Sequence, residues 1–173
     1  PLLVAGQFTT FIPDSAFEAY LEANGMGNNI PNDSTVFTSA IDTVIYLNIS
    51  SSNIADLTGI KDFTVLDTLD CSSNNLDSID ISNNNLSYFD CSSNNLDSMY
   101  LLDISSNLGL LTFKCNFNNL KQLDVKLNTS LLYFECFENK LESLDISQNK
   151  FLIELRCNDN QLTSLDVQGI DMY

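Results

Sequence analysis

Apolar and polar residues recur in one pattern along most of the chain. Five segments share an apolar residue, a cysteine two positions later, an asparagine three positions after that and then a leucine: LDCSSNNL, FDCSSNNL, FKCNFNNL, FECFENKL and LRCNDNQL. The cysteines stand at positions 71, 91, 115, 136 and 157. A less regular copy without cysteine, LNISSSNI, begins at Leu47. A period of this length predicts a repeat protein, in which every unit is one turn of chain.

Within each unit, the segment Leu-x-Cys predicts a short β-strand, because its two apolar residues point to the same face. One repeat cannot bury that face alone, so successive repeats are expected to stack as parallel strands about 4.8 Å apart around one core. Equivalent residues then form columns. The inner column is Leu47, Leu69, Phe89, Phe113, Phe134 and Leu155. Two asparagine columns are expected to pair backbone groups at the buried bends: Asn74, Asn94, Asn118, Asn139 and Asn160, and then Asn84, Asn107, Asn128 and Asn149.

A second recurring word, such as IDIS at 79–82 and LDVQ at 165–168, separates the cysteine segments. Together the two words resemble the leucine-rich repeat, whose consensus L-x-x-L-x-L-x-x-N/C-x-L recurs over about 20–29 residues. The resemblance covers roughly 44–170, with Cys at one inward Leu position. Segments 12–18 and 54–60 are similar to those of secreted or surface bacterial members, including internalin-like proteins. The resemblance implies an α/β-type solenoid, a right-handed coil with a parallel β-sheet on its concave face and an N-terminal helical cap.

The chain is expected to divide into three segments. Residues 1–7 are interpreted as the remnant of a signal peptide or as a cloning remnant. Residues 8–43 form the N-terminal cap, with a helix over 15–23, because Ser15-x-x-Glu18 is a capping box and Asp14 is a second cap candidate. Residues 44–173 contain about six repeats without an evident C-terminal cap, which predicts that the natural chain continues or that the open end pairs. The residues expected to cover the first repeat are Phe11, Phe17, Tyr20 and Leu21.

Two irregularities in the repeat predict loops. The unit after Cys91 carries three extra residues around 99–101, and the unit after Cys71 is one residue short near 83–85. Both irregularities lie outside the cysteine strand, so we expect them on the convex side or at an edge.

Composition excludes several functions. The chain has 23 acidic and 7 basic residues, a net charge of −16 and no histidine. Nucleic-acid binding is excluded because it requires a basic stripe. Without histidine, catalysis by an imidazole and metal sites with imidazole ligands are excluded too. No apolar run approaches the roughly 20 residues that span a bilayer. Residues 1–113 alone carry a net charge of −13, which favours a partner with a basic or calcium-bridged surface, although a solvated acidic face explains the same bias.

Neither the cysteines nor the regularly spaced acids predict a catalytic site. The five cysteines are odd in number and match no zinc-ligand spacing, so they are interpreted as buried apolar thiols. A column of second-word acids either binds calcium with loop carbonyls or accepts hydrogen bonds from nearby Ser and backbone N–H groups: Asp80, Asp103, Asp124, Asp145 and Asp166. Without a D-x-D-x-D-G loop, the second alternative is preferred. No unique cleft suits a glycosidase carboxylate pair, so neither an enzyme nor a cofactor is predicted.

The concave face is expected to carry the binding site, because its outward side chains are not dictated by the repeat. Tyrosines on alternate strands, and phenylalanines beside charged groups, resemble the anchors of protein interfaces. Tyrosine is also simply a good strand residue, which is the alternative explanation. The predicted ligand-binding residues are Tyr46, Tyr88, Tyr133, Phe117, Phe137, Asp90, Lys114, Glu135 and Arg156.

The resemblance implies interaction, so the predicted function is non-catalytic recognition of a protein or glycan by the concave face, in adhesion or surface contact. The expected location is secreted or at the cell surface, without membrane insertion. The alternative is a structural or assembly spacer of a larger secreted protein, whose end supports end-to-end self-association.

Overall fold

The structure, a computed structural model, describes residues 8–97 and 102–167. Its N-terminal cap consists of β1 (Thr9–Phe11), α1 (Ser15–Ala23), β2 (Thr35–Phe37) and α2 (Thr38–Ile41), and β1 pairs with β2 in the antiparallel sense. The predicted signal-peptide remnant at 1–7, the three-residue insertion around 99–101 and the end of the pattern after Val167 lie outside the described residues.

The repeats form two parallel sheets. Their strands are β3 (Tyr46–Asn48), β4 (Thr68–Asp70), β5 (Tyr88–Asp90), β6 (Thr112–Lys114), β7 (Tyr133–Glu135), β8 (Ser143–Asp145), β9 (Glu154–Arg156) and β10 (Ser164–Asp166), and a 3-10 helix spans Ile60–Asp62. The six-stranded sheet has the order β3-β4-β5-β6-β7-β9, which confirms the predicted parallel solenoid. A second sheet, β8 with β10, lies on the second word of the repeat and was not predicted.

The core follows the predicted columns. Strand register places Leu47, Leu69 and Phe89 opposite one another, and the column continues through Phe113 and Phe134. The phenyl rings of Phe89 and Phe113 are 5.7 Å apart and nearly parallel, and those of Phe113 and Phe134 are 5.5 Å apart. Such contacts add to the free energy gained from burying the rings. The stacked interior is therefore continuous from one repeat to the next.

The asparagine columns join neighbouring repeats through buried hydrogen bonds. Asn94 Nδ2 donates to the carbonyls of Cys71 and Cys91, at 3.1 Å each, and its Oδ1 accepts from the backbone N–H of Leu76 at 3.0 Å. In the second column, Asn128 Nδ2 donates to the carbonyls of Ile104 and Asn107. Both predicted roles are confirmed, because these amides satisfy backbone groups that the bends would leave unpaired.

The N-terminal cap is fastened to the first repeat by Asp14. Its Oδ1 accepts from Ala16 N and Phe17 N at 2.9 Å, so Asp14 is the N-cap of α1. Its Oδ2 accepts from the backbone N–H groups of Ala55 and Asp56. One carboxylate therefore both begins the helix and fixes its position against the repeats.

Two details of the predicted cap are wrong. The capping box at Ser15 does not form, because the buried Glu18 carboxylate instead accepts from the backbone N–H groups of Asp33 and Ser34. Phe11 does not cover the first repeat: it is 59% exposed, whereas Ile12 is fully buried. The alternation of β1 accounts for this, since its inward positions are Thr10 and then Ile12, so that Phe11 faces out.

Candidate binding surface

The outward side of the six-stranded sheet, here called the concave face, carries two rows of side chains. Paired register aligns the first row as Tyr46, Thr68, Tyr88, Thr112, Tyr133 and Glu154. Tyr46 is 62% exposed and Tyr133 41%, while Tyr88 is half-buried. The structure therefore places the three predicted tyrosines in one row, on alternate strands with a threonine between each pair.

The phenol of Tyr88 lies in an environment of negative potential. Burial, followed by the charges of Asp90 and Asp70, raises the pKa of Tyr88 to about 12. Burial and nearby carboxylates both disfavour the phenolate. Tyr88 therefore stays a neutral hydrogen-bonding group with an apolar ring to higher pH than an ordinary tyrosine.

The second row of the concave face is charged: it consists of Asn48, Asp70, Asp90, Lys114, Glu135 and Arg156. Its C-terminal members are paired, since Lys114 Nζ lies 3.4 Å from Glu135 and Arg156 Nε lies 2.6 Å from Glu154. Asp70 and Asp90 at its other end are each held by a serine two residues later, whose hydroxyl donates at 2.6 Å. The row thus changes from acidic to charge-balanced along the solenoid.

Phe117 and Phe137 form an aromatic pair just after the strands β6 and β7, in which Phe117 is exposed and Phe137 is partly buried. Their ring centroids are 5.1 Å apart with an edge-to-face angle of 78°. Phe117 is 50% exposed, and its φ of 55° lies in the left-handed region. A left-handed conformation costs a non-glycine residue roughly 1–2 kcal/mol, and a bulky residue is unusual there. The structure therefore brings together the pair predicted from sequence.

A cavity of about 240 Å³ opens between the first two tyrosines of the row, lined by Tyr46, Thr68, Asp70 and Tyr88. Thr68 and Asp70 were not among the predicted site residues. The alternation of Tyr with Thr along the row was the sequence signal, because a short side chain between two rings leaves a gap.

The second-word acids serve the turns of the repeat. Asp80, Asp103, Asp124 and Asp145 each accept from the backbone N–H two residues later, at 2.9–3.1 Å. Hydrogen bonds from the side chain and then the backbone of Ser105 lower the pKa of Asp103, and those from Ser147 lower the pKa of Asp145. The hydrogen bond from Lys61 is the largest cause that lowers the pKa of Asp80. The hydrogen-bonding interpretation is confirmed for these four. Among the described residues, no group of three or more acids or cysteines is placed to hold a metal ion.

The thiols are interior groups. Cys71, Cys91, Cys115 and Cys136 are fully buried and Cys157 is partly buried, and all five are unbridged. Burial raises the pKa of each thiol, which disfavours the thiolate that nucleophilic chemistry requires. The interpretation as buried apolar groups is confirmed for the first four.

The described ranges contain no helix that combines the length and the apolar character needed to cross a bilayer.

Solved structures with a similar fold include proteins of two bacteria. A leucine-rich-repeat protein of Leptospira interrogans is 21% identical with a TM-score of 0.55, covering 65% of this chain and 34% of its own. Internalin C2 of Listeria monocytogenes is 16% identical with a TM-score of 0.55, covering 92% of both chains. The fold is that of leucine-rich-repeat proteins.

The functional domain of InlJ from Listeria monocytogenes, which includes a cysteine ladder, is 27% identical with a TM-score of 0.43, covering 99% of this chain. The chain spans about half of that domain (50%) and about a third of the Leptospira protein (34%). No family model matches the chain, and no curated protein sequence matches it significantly.

Proposed function

We propose that this solenoid is a non-catalytic recognition module that binds a protein or glycan through its concave face, as a secreted or surface-exposed protein. The observation that carries the proposal is the aromatic pair of Phe117 and Phe137, in which Phe117 is half-exposed and lies in a left-handed turn. Every other repeat places Ser, Glu or Asp at this position. The left-handed turn is common to the repeats, so the feature particular to Phe117 is its exposed aromatic side chain, and aromatic side chains are enriched at protein interfaces.

The rest of the concave face supports the same conclusion. Tyr46 and Tyr133 present large, partly exposed rings, and rings of this kind are enriched at binding hot spots. Lys114 and Glu135, on the two strands that lead to the aromatic pair, form an ion pair, and Arg156 on the next strand is paired with Glu154, so polar groups accompany the rings as at the rim of an interface. The secreted or surface location rests on the sequence resemblance to such bacterial proteins.

The test is a screen of the isolated chain against arrays of glycans and surface proteins, followed by affinity measurements on one triple variant. Tyr88→Ala with Tyr133→Ala and Phe137→Ala removes three rings from the concave face. We expect capture to fall at least a hundredfold, because hot-spot aromatics carry much of the binding free energy. The midpoint of thermal unfolding is expected to change little.

The matched control removes three exposed apolar side chains that lie outside the six-stranded sheet, through Leu108→Ala, Leu127→Ala and Phe151→Ala. This control is expected to retain capture. Unaltered capture by the folded concave-face variant would refute the proposal.

An assembly role is the second candidate, favoured by the last described repeat. Leu165 and Val167 are each 40% exposed there, and β9 is an edge strand. Edge strands and apolar ends invite pairing with another chain. Light scattering over a range of concentrations separates the two: growth into end-to-end oligomers favours assembly, and a persistent monomer favours recognition.

A further inference from the structure

The first row of the concave face contains the same arrangement twice. Thr68 lies between Tyr46 and Tyr88, and Thr112 lies between Tyr88 and Tyr133. The rings that border each gap are about 10 Å apart, because they stand on strands two spacings apart. The two gaps therefore have the same shape-determining residues.

The two gaps differ in charge. Asp70 lies two residues beyond Thr68 on the same face, whereas Lys114 is the equivalent residue beyond Thr112. Asp70 lines the cavity of about 240 Å³ in the first gap. Lys114 is already paired with Glu135 in the second gap. Only the first gap therefore has a carboxylate, and no cation, beside its central threonine.

The carboxylate of Asp70 retains capacity for a ligand. Its Oδ1 accepts from Ser72 N and Ser72 Oγ, and its Oδ2 accepts one long bond of 3.3 Å from Asn48. A carboxylate offers about four acceptor sites, so about one remains. The ion pairs of the described residues involve Asp80, Glu135, Asp145 and Glu154 instead.

Neighbouring charges make the first gap attractive to a cation. Asp90 stands directly opposite Asp70 on the next strand, and like charges in that position repel each other. Burial is the largest cause of the raised pKa of Tyr88, and the charges of Asp90 and Asp70 come next, in agreement with this negative potential. A cation midway between the two rings would lie about 5 Å from each, within the roughly 6 Å over which aromatic faces attract cations.

We infer that the gap between Tyr46 and Tyr88 binds a lysine or arginine side chain of a protein partner, with Asp70 as its counter-ion. This inference rests on the proposed function and deepens it, because it names the chemistry of the partner. The aromatic walls contact the aliphatic stem and the cation, while Asp70 accepts a charge-assisted hydrogen bond. The partner surface that meets the N-terminal half of the concave face is therefore basic.

The probe is a capped Gly-Ser peptide with one arginine, titrated against the full chain and followed by NMR chemical shifts. The same peptide with citrulline keeps the shape and removes the charge. We expect the dissociation constant of the citrulline peptide to be at least tenfold higher than that of the arginine peptide. A neutral methyl glycoside serves as the third probe and tests the glycan alternative.

A matched pair of variants locates the site. Thr68→Tyr fills the first gap and Thr112→Tyr fills the second, and both are expected to fold because tyrosine already occupies this row on β3, β5 and β7. Asp70→Asn removes the charge alone. It keeps the turn, since Asn48 makes the same bonds to Ser50 in the first repeat.

Thr68→Tyr and Asp70→Asn are each expected to weaken arginine-peptide binding at least tenfold, and Thr112→Tyr to leave it within twofold. The inference is overturned if the native chain fails to bind the arginine peptide, if citrulline binds as well, or if both gap-filling variants lose binding equally. Binding of the glycoside in place of the peptide also overturns it, while leaving the proposed recognition by the concave face intact.

Discussion

Each inner cysteine is a small apolar group with a weak donor, and this suits the narrow space beside the column of rings. The thiols of Cys71 and Cys91 donate to the carbonyls of Asp90 and Lys114 on the neighbouring strands, at 3.4 Å. Those carbonyls also accept the backbone N–H groups of the same cysteines. The thiols therefore add weak contacts without competing for the bonds of the sheet.

The difference in burial predicts how the thiols react. In the native protein, we expect an aromatic disulfide reagent to modify Cys157 alone, because the other four are fully buried with raised pKa values. All five should react after unfolding in guanidinium. Cys157→Ala is the control and should abolish the reaction of the native protein. Rapid modification of two or more thiols in the folded protein would contradict the burial of the other four cysteines.

At the scale of the element, asparagine side chains join each strand to the next, in addition to the backbone hydrogen bonds of the sheet. Asn118 Nδ2, like Asn94 Nδ2, donates to the cysteine carbonyls of two successive repeats. An amide of this kind holds the end of one strand and the end of its neighbour at once. The buried bends and the strand spacing are thus stabilised by the same side chain.

Replacing one of these amides should be costly. Asn94→Ala leaves the carbonyls of Cys71 and Cys91 and the N–H of Leu76 without their buried partner. Each such group costs about 1–3 kcal/mol, so we expect the free energy of unfolding to fall by at least about 2 kcal/mol in a urea titration. The control is Asn95→Ala, an exposed neighbour expected to change it by less than about 0.5 kcal/mol. Equal effects of the two would show that the column is not stabilising.

The strands of the six-stranded sheet and the helix α1 could be predicted from the sequence, because the repeat and the cap candidate Asp14 mark them, while β1, β2 and the second sheet could not. The six strands and both asparagine columns recur, so every copy supports the same interpretation. The antiparallel pair of β1 and β2 occurs once, with three-residue strands that carry almost no periodic signal. Glu18 matched a local motif, but its burial against the backbone of Asp33 and Ser34 prevailed over that motif.

The candidate site was predictable only in part, for a related reason. Alternation within each strand identified the outward rows, and hence Tyr46, Tyr88 and Tyr133. The cavity depends on the contrast between rings and the short Thr68 beside them, which appears only when neighbouring strands are in register. The closeness of Phe117 to Phe137 likewise depends on the stacking of two turns.

At the scale of the whole molecule, charge is the dominant feature. A net charge of −16 on 173 residues disfavours the compact state through self-repulsion. Among the described residues, Lys61, Lys114, Lys126 and Arg156 each form an ion pair with a carboxylate within 4 Å. Most carboxylates instead rely on hydrogen bonds in their turns and on solvent.

Salt should therefore stabilise the protein. Raising sodium chloride from about 10 mM to 500 mM shortens the Debye length from roughly 30 Å to less than 10 Å and screens the repulsion. We expect the midpoint of thermal unfolding to rise over this range, by calorimetry or circular dichroism. Potassium chloride at equal ionic strength is the control for ion-specific effects and should act alike. A constant or falling midpoint would show that the carboxylates are not in net repulsion.

The left-handed residue four positions after each inner-column residue has a broader consequence. Its φ stays between 53° and 56° in Ser51, Ser73, Ser93, Phe117, Glu138 and Asp159. Four different residue types thus occupy the same backbone conformation. The path of the coil therefore does not depend on which side chain stands at this position. Substitution of this side chain, in evolution or by design, can change in any repeat what the protein binds without changing the backbone that carries it.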